Sequence, residues 1–188
     1  MHANRTAFKA ADATWRSAIS DGYANDGKIY FEVKIDIRNS HIKIGVCNDD
    51  DLTASKGDFA GADGNSWGFD HQYYKWHDGG SAQIDTDTYD TGDVVGVALD
   101  IDAGKIWFAV NNVWAEGDPA AGTGESFDSI DGTNFHAIGT HYNSAGTGQF
   151  TLRLHSSRWD YSPPSGFSAM PCAKVTTTTT TTTTTAPP

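Results

Sequence analysis

The feature that most constrains the fold is a period-two pattern of large apolar residues across positions 91–112. The apolar positions lie on both sides of a turn: Val95, Val97, Leu99 and Ile101 before it, and Ile106, Phe108 and Val110 after it. The turn itself is Asp102-Ala103-Gly104, where aspartate can bond to its own backbone and glycine tolerates a positive φ. This stretch therefore predicts a long β-hairpin with one buried face.

The same periodicity recurs along the chain. Residues 28–37 alternate with Ile29, Phe31, Val33, Ile35 and Ile37 on one face. Further strands are expected near residues 14–19 and at 41–47, 66–69, 134–142 and 149–155, and residues 71–80 are expected to form a hairpin or loop. The 20 glycines and the aromatic content of 12% suit turns and sheets respectively, so the fold class is all-β.

Chain length and composition divide the 188 residues into three parts. We expect a lead-in over 1–26, one sandwich domain over 27–171, and an extended Thr/Pro-rich tail over 172–188. The tail contains ten consecutive threonines at 176–185. It suits either an unmodified linker or an O-glycosylated stalk, with candidate glycosylation sites at Thr176, Thr177, Thr178, Thr179 and Thr180.

The formal net charge of −11 argues against nucleic acid or an anionic membrane as the partner, because no basic patch is available to neutralise phosphates. No apolar run has the roughly 18 residues of a membrane span, so membrane insertion is not expected. The two cysteines, Cys47 and Cys172, leave open whether they form a disulfide or remain buried thiols.

Catalytic and metal-binding patterns are weak. The only glutamates are Glu32, Glu116 and Glu125, which lack the spacing of a paired-carboxylate glycosidase site, and no Gly-x-Ser-x-Gly elbow occurs. The run Asp49, Asp50 and Asp51 is a weak calcium candidate, because it lacks the alternating spacing and glycine of a calcium loop. We therefore expect no enzyme activity and no cofactor.

The order of short motifs resembles SPRY domains. The pieces are residues 27–33 (GKIYFEV), 44–46 (IGV), 66–68 (SWG), 92–100 (GDVVGVALD), 104–108 (GKIWF) with Asn111-Asn112, and 161–167 (YSPPSGF). The resemblance implies a concanavalin-A-like jelly roll, a sandwich of two antiparallel sheets that binds proteins or peptides through loops at one edge. The segment at 114–122 is most similar to SPRY-like modules of bacteriophage and viral structural proteins.

The candidate ligand-binding residues lie in one stretch that combines aromatic and planar polar side chains: His71, Gln72, Tyr73, Tyr74, Trp76, His77 and Asp78. Aromatic rings can bind the C–H face of a sugar, and tyrosine and tryptophan also dominate protein interfaces, so either a glycan or a protein surface fits. Four other aromatic residues are assigned to the fold itself: Trp67, Trp107, Phe108 and Trp159.

These observations predict a non-catalytic binding or display module on a virion or in an extracellular appendage. One alternative is a carbohydrate-binding module joined by the threonine linker to a secreted glycoside hydrolase. Another is a structural subunit of a fibre that assembles with other copies through its threonine tail.

Overall fold

Twelve strands form two facing sheets in the computed structural model, which describes residues 14–48, 58–142 and 148–171. In chain order the strands are β1 (Trp15–Ala24), β2 (Lys28–Ile37), β3 (His41–Cys47), β4 (Ser66–Asp70), β5 (Tyr74–His77), β6 (Gly80–Gln83), β7 (Val94–Asp100), β8 (Lys105–Val110), β9 (Val113–Trp114), β10 (Phe135–Tyr142), β11 (Gln149–Arg153) and β12 (Ser168–Ala169). A 3₁₀ turn spans Ser156–Arg158. The described residues form no helix that is long and apolar enough to cross a membrane.

The first sheet has the strand order β1-β10-β3-β4-β5-β6, and the second has the order β11-β2-β7-β8-β9. Every pair within these orders is antiparallel, and the short β12 adds to β2 in parallel. The predicted all-β sandwich of two antiparallel sheets is confirmed. Strand β1 pairs with β10 at Trp15–Ile19 and at Tyr23–Ala24, with an irregularity between the two stretches, so the first sheet includes residues of the predicted lead-in.

The predicted hairpin is β7–β8, and its apolar positions face the other sheet. Opposite residues across the pair are Val95 with Val110, Val97 with Phe108, and Leu99 with Ile106. All six belong to the main core between the sheets. The prediction that Ile37 lies on the buried face of β2 is wrong, because this residue is at the end of the strand and is exposed.

The outer face of the second sheet is covered by the C-terminal part of the described chain. Tyr30, Ala98, Trp107 and Phe167 form a second apolar cluster there, with Trp159 packed against it. The carboxylate of Glu32 is fully buried beneath this segment and accepts the backbone N–H of Asp160 at 2.7 Å and of Tyr161 at 2.9 Å. The assignment of Trp67, Trp107, Phe108 and Trp159 to the fold is therefore confirmed.

The outer face of the first sheet is covered by residues 58–64. A Cβ on Gly68 would lie 2.2 Å from the carbonyl oxygen of Ala60, so only glycine permits this close approach. The Ala60 N–H donates to the hydroxyl of Thr140, which joins the covering segment to β10. Cys47 is buried on this face, whereas Cys172 lies outside the described residues, so the question of their pairing stays open.

Polar residues at the ends of the hairpin cap turns. The Asp100 carboxylate accepts the Ala103 N–H at 3.1 Å, and Asp102 accepts the Gly27 N–H at 3.1 Å. At the following turn, Asn111 and Asn112 have φ of 49° and 69°, the left-handed region that asparagine tolerates.

Candidate binding surface

A tight turn joins β4 to β5 and holds Tyr73 out of the sheet. The buried Asp70 carboxylate caps the turn, because its Oδ1 accepts the N–H of Gln72 at 2.8 Å and of Tyr74 at 3.0 Å. Between them Tyr73 has φ 59° and is 37% exposed. A left-handed backbone costs a bulky residue on the order of 1–2 kcal/mol, so this strain persists only because the turn is held from both sides.

The Tyr73 ring forms a pair with Tyr74 beside an edge strand. The two ring centroids are 5.5 Å apart at an interplanar angle of 23°, and Gln83 Nε2 donates to the Tyr74 hydroxyl at 3.0 Å. All four residues of β6 are exposed, and no strand of the described chain pairs with its outer side. The Ile84 N–H donates to the Tyr73 carbonyl, so alternation directs the backbone groups of Ser81 and Gln83 away from β5.

A depression of about 240 Å³ adjoins this turn, lined by Arg38, His71, Gln72, Thr88, Tyr89 and Asp90. Arg38 Nη2 lies 2.9 Å from Asp90 Oδ2, and this hydrogen bond lowers the pKa of the Asp90 carboxyl to about 2. The wall of the depression therefore contains a formed ion pair.

His71 supplies a neutral ring to the same depression. The residue is 9% exposed, and its ring lies edge-on to His41 with centroids 5.1 Å apart. Burial lowers the pKa of His71 to about 4, and the positive charge of Arg38 acts in the same direction. The imidazole is consequently uncharged at neutral pH.

Trp76 does not line the depression. Its ring packs with Phe59 around the Lys43 side chain on the outer face of the first sheet. Its Nε1 donates to Asp70 Oδ2 at 2.9 Å. The Lys43 ammonium lies 3.2 Å from the centroid of the Trp76 ring and 3.4 Å from that of Phe59. Lys43 is 3% exposed, and burial lowers its pKa to about 7 against the opposing effect of the Asp70 and Asp58 carboxylates.

His77 and Asp78 are separated from the turn. The His77 ring faces the interior, stacks on Trp67 with centroids 4.8 Å apart at 9°, and has Nδ1 3.0 Å from the Ser66 carbonyl oxygen. Asp78 lies in the β5–β6 turn with φ 50°. The structure thus gathers His71, Gln72, Tyr73 and Tyr74 at one turn and disperses the other three predicted residues.

Four residues that line the depression were not among the predicted binding residues: Arg38, Thr88, Tyr89 and Asp90. Arg38 follows β2 and Asp90 precedes β7, and these two strands pair antiparallel. Their register could have indicated the contact, because it brings the end of one strand beside the start of the other.

Residues 28–151 match the family model described as SPRY domain. The chain belongs to the SPRY domain family. Its fold is similar to the crystal structure of the SPRY domain of human HERC1, with a TM-score of 0.63 and 13% identity over 77% of this chain and 86% of that chain. At that identity the likeness shows the fold alone, and a search of curated proteins found no match.

SPRY domains are generally protein–protein interaction modules, which is consistent with a protein partner and a non-catalytic binding role for this chain. The predicted closer likeness to phage and viral modules is not supported by these comparisons.

Two groups of predicted residues lie outside the described parts of this SPRY domain: the calcium candidates Asp49, Asp50 and Asp51, and the glycosylation candidates Thr176–Thr180. Within the described ranges, no three His, Cys, Asp or Glu side chains are grouped so as to hold a metal ion. Both sets stay predictions.

Proposed function

We propose that this SPRY domain binds an extended segment of a protein partner at the β4–β5 turn and along β6. The observation that carries the proposal is Tyr73, an exposed aromatic ring fixed by a strained backbone. Strained residues concentrate at binding sites, and exposed tyrosines are frequent interface hot spots. The outward backbone groups of β6 offer the pairing that extended peptides use when they add a strand to a sheet.

The acidic residues around β6 indicate which charge the bound segment of the partner should carry. Asp78, Asp85 and Asp87 are exposed in the turns at either end of β6. The whole chain carries a formal net charge of −11. A neutral or basic segment is therefore favoured over an acidic one.

The setting in which the domain works is a further part of the proposal. We place it on a virion or in an extracellular appendage, with the threonine tract at 176–185 as the linker or stalk that displays it. Immunogold labelling of particles from the source, or of its cell surface, tests this placement. Label confined to the cell interior would contradict it.

The binding proposal is tested by selecting peptides from a displayed random 12-residue library on the full chain. We expect selected peptides to lose at least tenfold in affinity with Tyr73→Ala. The matched control is Tyr23→Ala, since Tyr23 is 45% exposed on β1 at the opposite edge of the same sheet. Equal effects of the two variants would refute the proposed site.

A glycan array run with the same variants separates the carbohydrate-binding alternative. Glycan binding that depends on Tyr73, with no peptide enriched, would mean that the partner is a sugar and not a protein. Sedimentation of the chain with and without residues 172–188 tests the fibre alternative, which requires the tail for self-assembly.

A further inference from the structure

His141 on β10 is fully buried, and neither of its ring nitrogens has a hydrogen-bond partner in the described parts of the chain. Its side chain lies on the inner side of the first sheet, because Phe135 and Ala137, which share its parity along β10, belong to the core. A neutral imidazole has one nitrogen that donates and one that accepts, and this ring uses neither. Buried side-chain polar atoms are rarely left unpaired in native structures, so packing alone does not explain a histidine at this position.

The residues around His141 cannot compensate a positive charge on its ring. On the neighbouring strands, Arg16 of β1 and Ile42 of β3 lie opposite it in the register. Gly148 lies against its Nε2, where an added Cβ would overlap the ring. Phe150 of β11 and the inward residues of β2 are apolar members of the core. Arg16 is the one charged residue in this set and carries the wrong sign, and burial is the cause of the lowered pKa of His141.

The start of β11 is the part of the second sheet that can leave His141 at the lowest cost. It follows directly after Gly148, and β11 is an edge strand that pairs with β2 on one side only. Its pairing with β2 is irregular between Gln149 and Phe150. Local opening of such an edge requires less free energy than unfolding of the whole sandwich.

We propose that His141 is an acid switch that releases the start of β11 from the sandwich. At neutral pH the uncharged ring stays packed against Gly148. In acid the ring binds a proton only when it reaches water, and the most direct way is separation of Gly148 and the start of β11 from β10. Because the open form binds the proton and the packed form does not, opening becomes about tenfold more favourable for each pH unit below the ordinary pKa of 6.5, and roughly 30-fold at pH 5.

Hydrogen exchange of the full chain, measured by mass spectrometry at pH 7 and pH 5 and corrected for the intrinsic exchange rate, tests the switch. We expect the protection of residues 149–153 to fall at least fivefold at pH 5, while that of the β7–β8 hairpin stays unchanged. Unchanged protection at 149–153 would mean that acid does not open this edge. An equal loss in the hairpin would mean global unfolding, and either result overturns the proposal.

Matched variants assign the effect to one ring. His141→Phe keeps a buried ring that does not titrate, so it should abolish the pH dependence at 149–153. His71→Phe removes another buried histidine with a lowered pKa and should leave that dependence unchanged. The wild-type pH dependence in His141→Phe would refute the assignment.

NMR on the ¹⁵N-labelled wild type makes the test independent of how well the His141→Phe variant folds. We expect the ring nitrogens of His141 to report a neutral imidazole in the folded chain at pH 5.5, where an ordinary histidine is about nine-tenths protonated. A charged ring at that pH, with residues 149–153 still protected, would show that the packed form accepts the proton and that no switch exists.

Discussion

Replacing Lys43 by methionine tests how much free energy of unfolding the protein loses by burying an amine under aromatic rings. The side chain is 3% exposed, and burial lowers its pKa from 10.5 to about 7. Methionine has a similar length and no charge, so it keeps the packing against Trp76 and Phe59. We expect Lys43→Met to be more stable than the wild type at pH 6–7 and to lose most of the rise in stability that the wild type shows between pH 7 and pH 9.

Proton binding sets the direction of this effect. Between the folded pKa of about 7 and the unfolded value of 10.5, Lys43 is protonated in the unfolded chain and largely neutral in the fold. Unfolding therefore takes up a proton, and the free energy of unfolding rises with pH by at most ~3 kcal/mol over two pH units. The faces of Trp76 and Phe59 favour the ammonium and reduce this figure. Burial raises the pKa of Tyr30 and Tyr89 above 10, so neither tyrosine titrates in the window.

The assay is urea unfolding followed by far-UV circular dichroism at pH 6, 7, 8 and 9. The control is Lys28→Met, since Lys28 is 38% exposed and lies 3.1 Å from the carboxylate of Asp100, which is buried. Its loss leaves that carboxylate without this partner and should lower the free energy of unfolding by a similar amount at each pH, so that the pH slope stays parallel to the wild type. If Lys43→Met is less stable at pH 7 and keeps the wild-type slope, the buried amine stays protonated and the reasoning is wrong.

Four further variants have defined outcomes. Glu32→Gln replaces an acceptor of two backbone N–H groups, so we expect a loss of about 2 kcal/mol in urea unfolding and earlier proteolytic cleavage near residue 155. Gly45→Ala would set a Cβ 1.8 Å from the Trp67 carbonyl oxygen and should destabilise by more than ~3 kcal/mol, whereas Gly64→Ala, with its nearest atom at 3.9 Å, should change urea stability by less than ~0.5 kcal/mol. The pKa of His71 falls from 6.5 to about 4, so the wild type should lose up to ~3 kcal/mol as the pH falls through this window, and His71→Phe should show a flatter profile in the same assay.

The strands of the sandwich, and the direction in which they face, could be predicted where one face of a strand packs in the core. On β7 and β8 every second residue is large and apolar, and a shift of one residue would expose the whole set, so the pattern fixes both the strands and their facing. The parity of β3 likewise places Ile42, Ile44 and Val46 inward, as the structure has them.

The burial of the outer faces could not be predicted from the strands. Glu32 and Lys43 occupy positions that alternation assigns to solvent, yet both are buried. Segments far along the chain cover them: residues 159–167 lie over Glu32, and residues 58–64 lie over Lys43. Alternation shows on which side of a sheet a residue lies but not what covers that side.

For a related reason, the sequence could not separate the exposed residues of the candidate site from the buried residues beside them. Along β5, Tyr74 and Trp76 share the outer side, while Lys75 and His77 share the inner side, as their pairing with β4 shows. Both sides of β5 are covered by other parts of the chain, and both carry polar and aromatic residues. The hydrophobicity of the strand therefore does not alternate with a period of two residues. The contact between Arg38 and Asp90 joins residues 52 positions apart and appears only once the register of β2 with β7 is known.

Within the part of the chain that the structure describes, other segments cover the outer faces of both sheets, so we expect binding at the edges and turns. Four large hydrophobic residues are exposed among the described residues: Tyr23, Ile37, Tyr73 and Val113. Ile37 precedes Arg38, and Tyr73 follows Gln72, so two of the four adjoin residues that line the same depression. Exposed apolar area and a strained backbone have separate physical causes, and both are found at Tyr73. Their coincidence is the reason to search for the partner at the β4–β5 turn before any other surface.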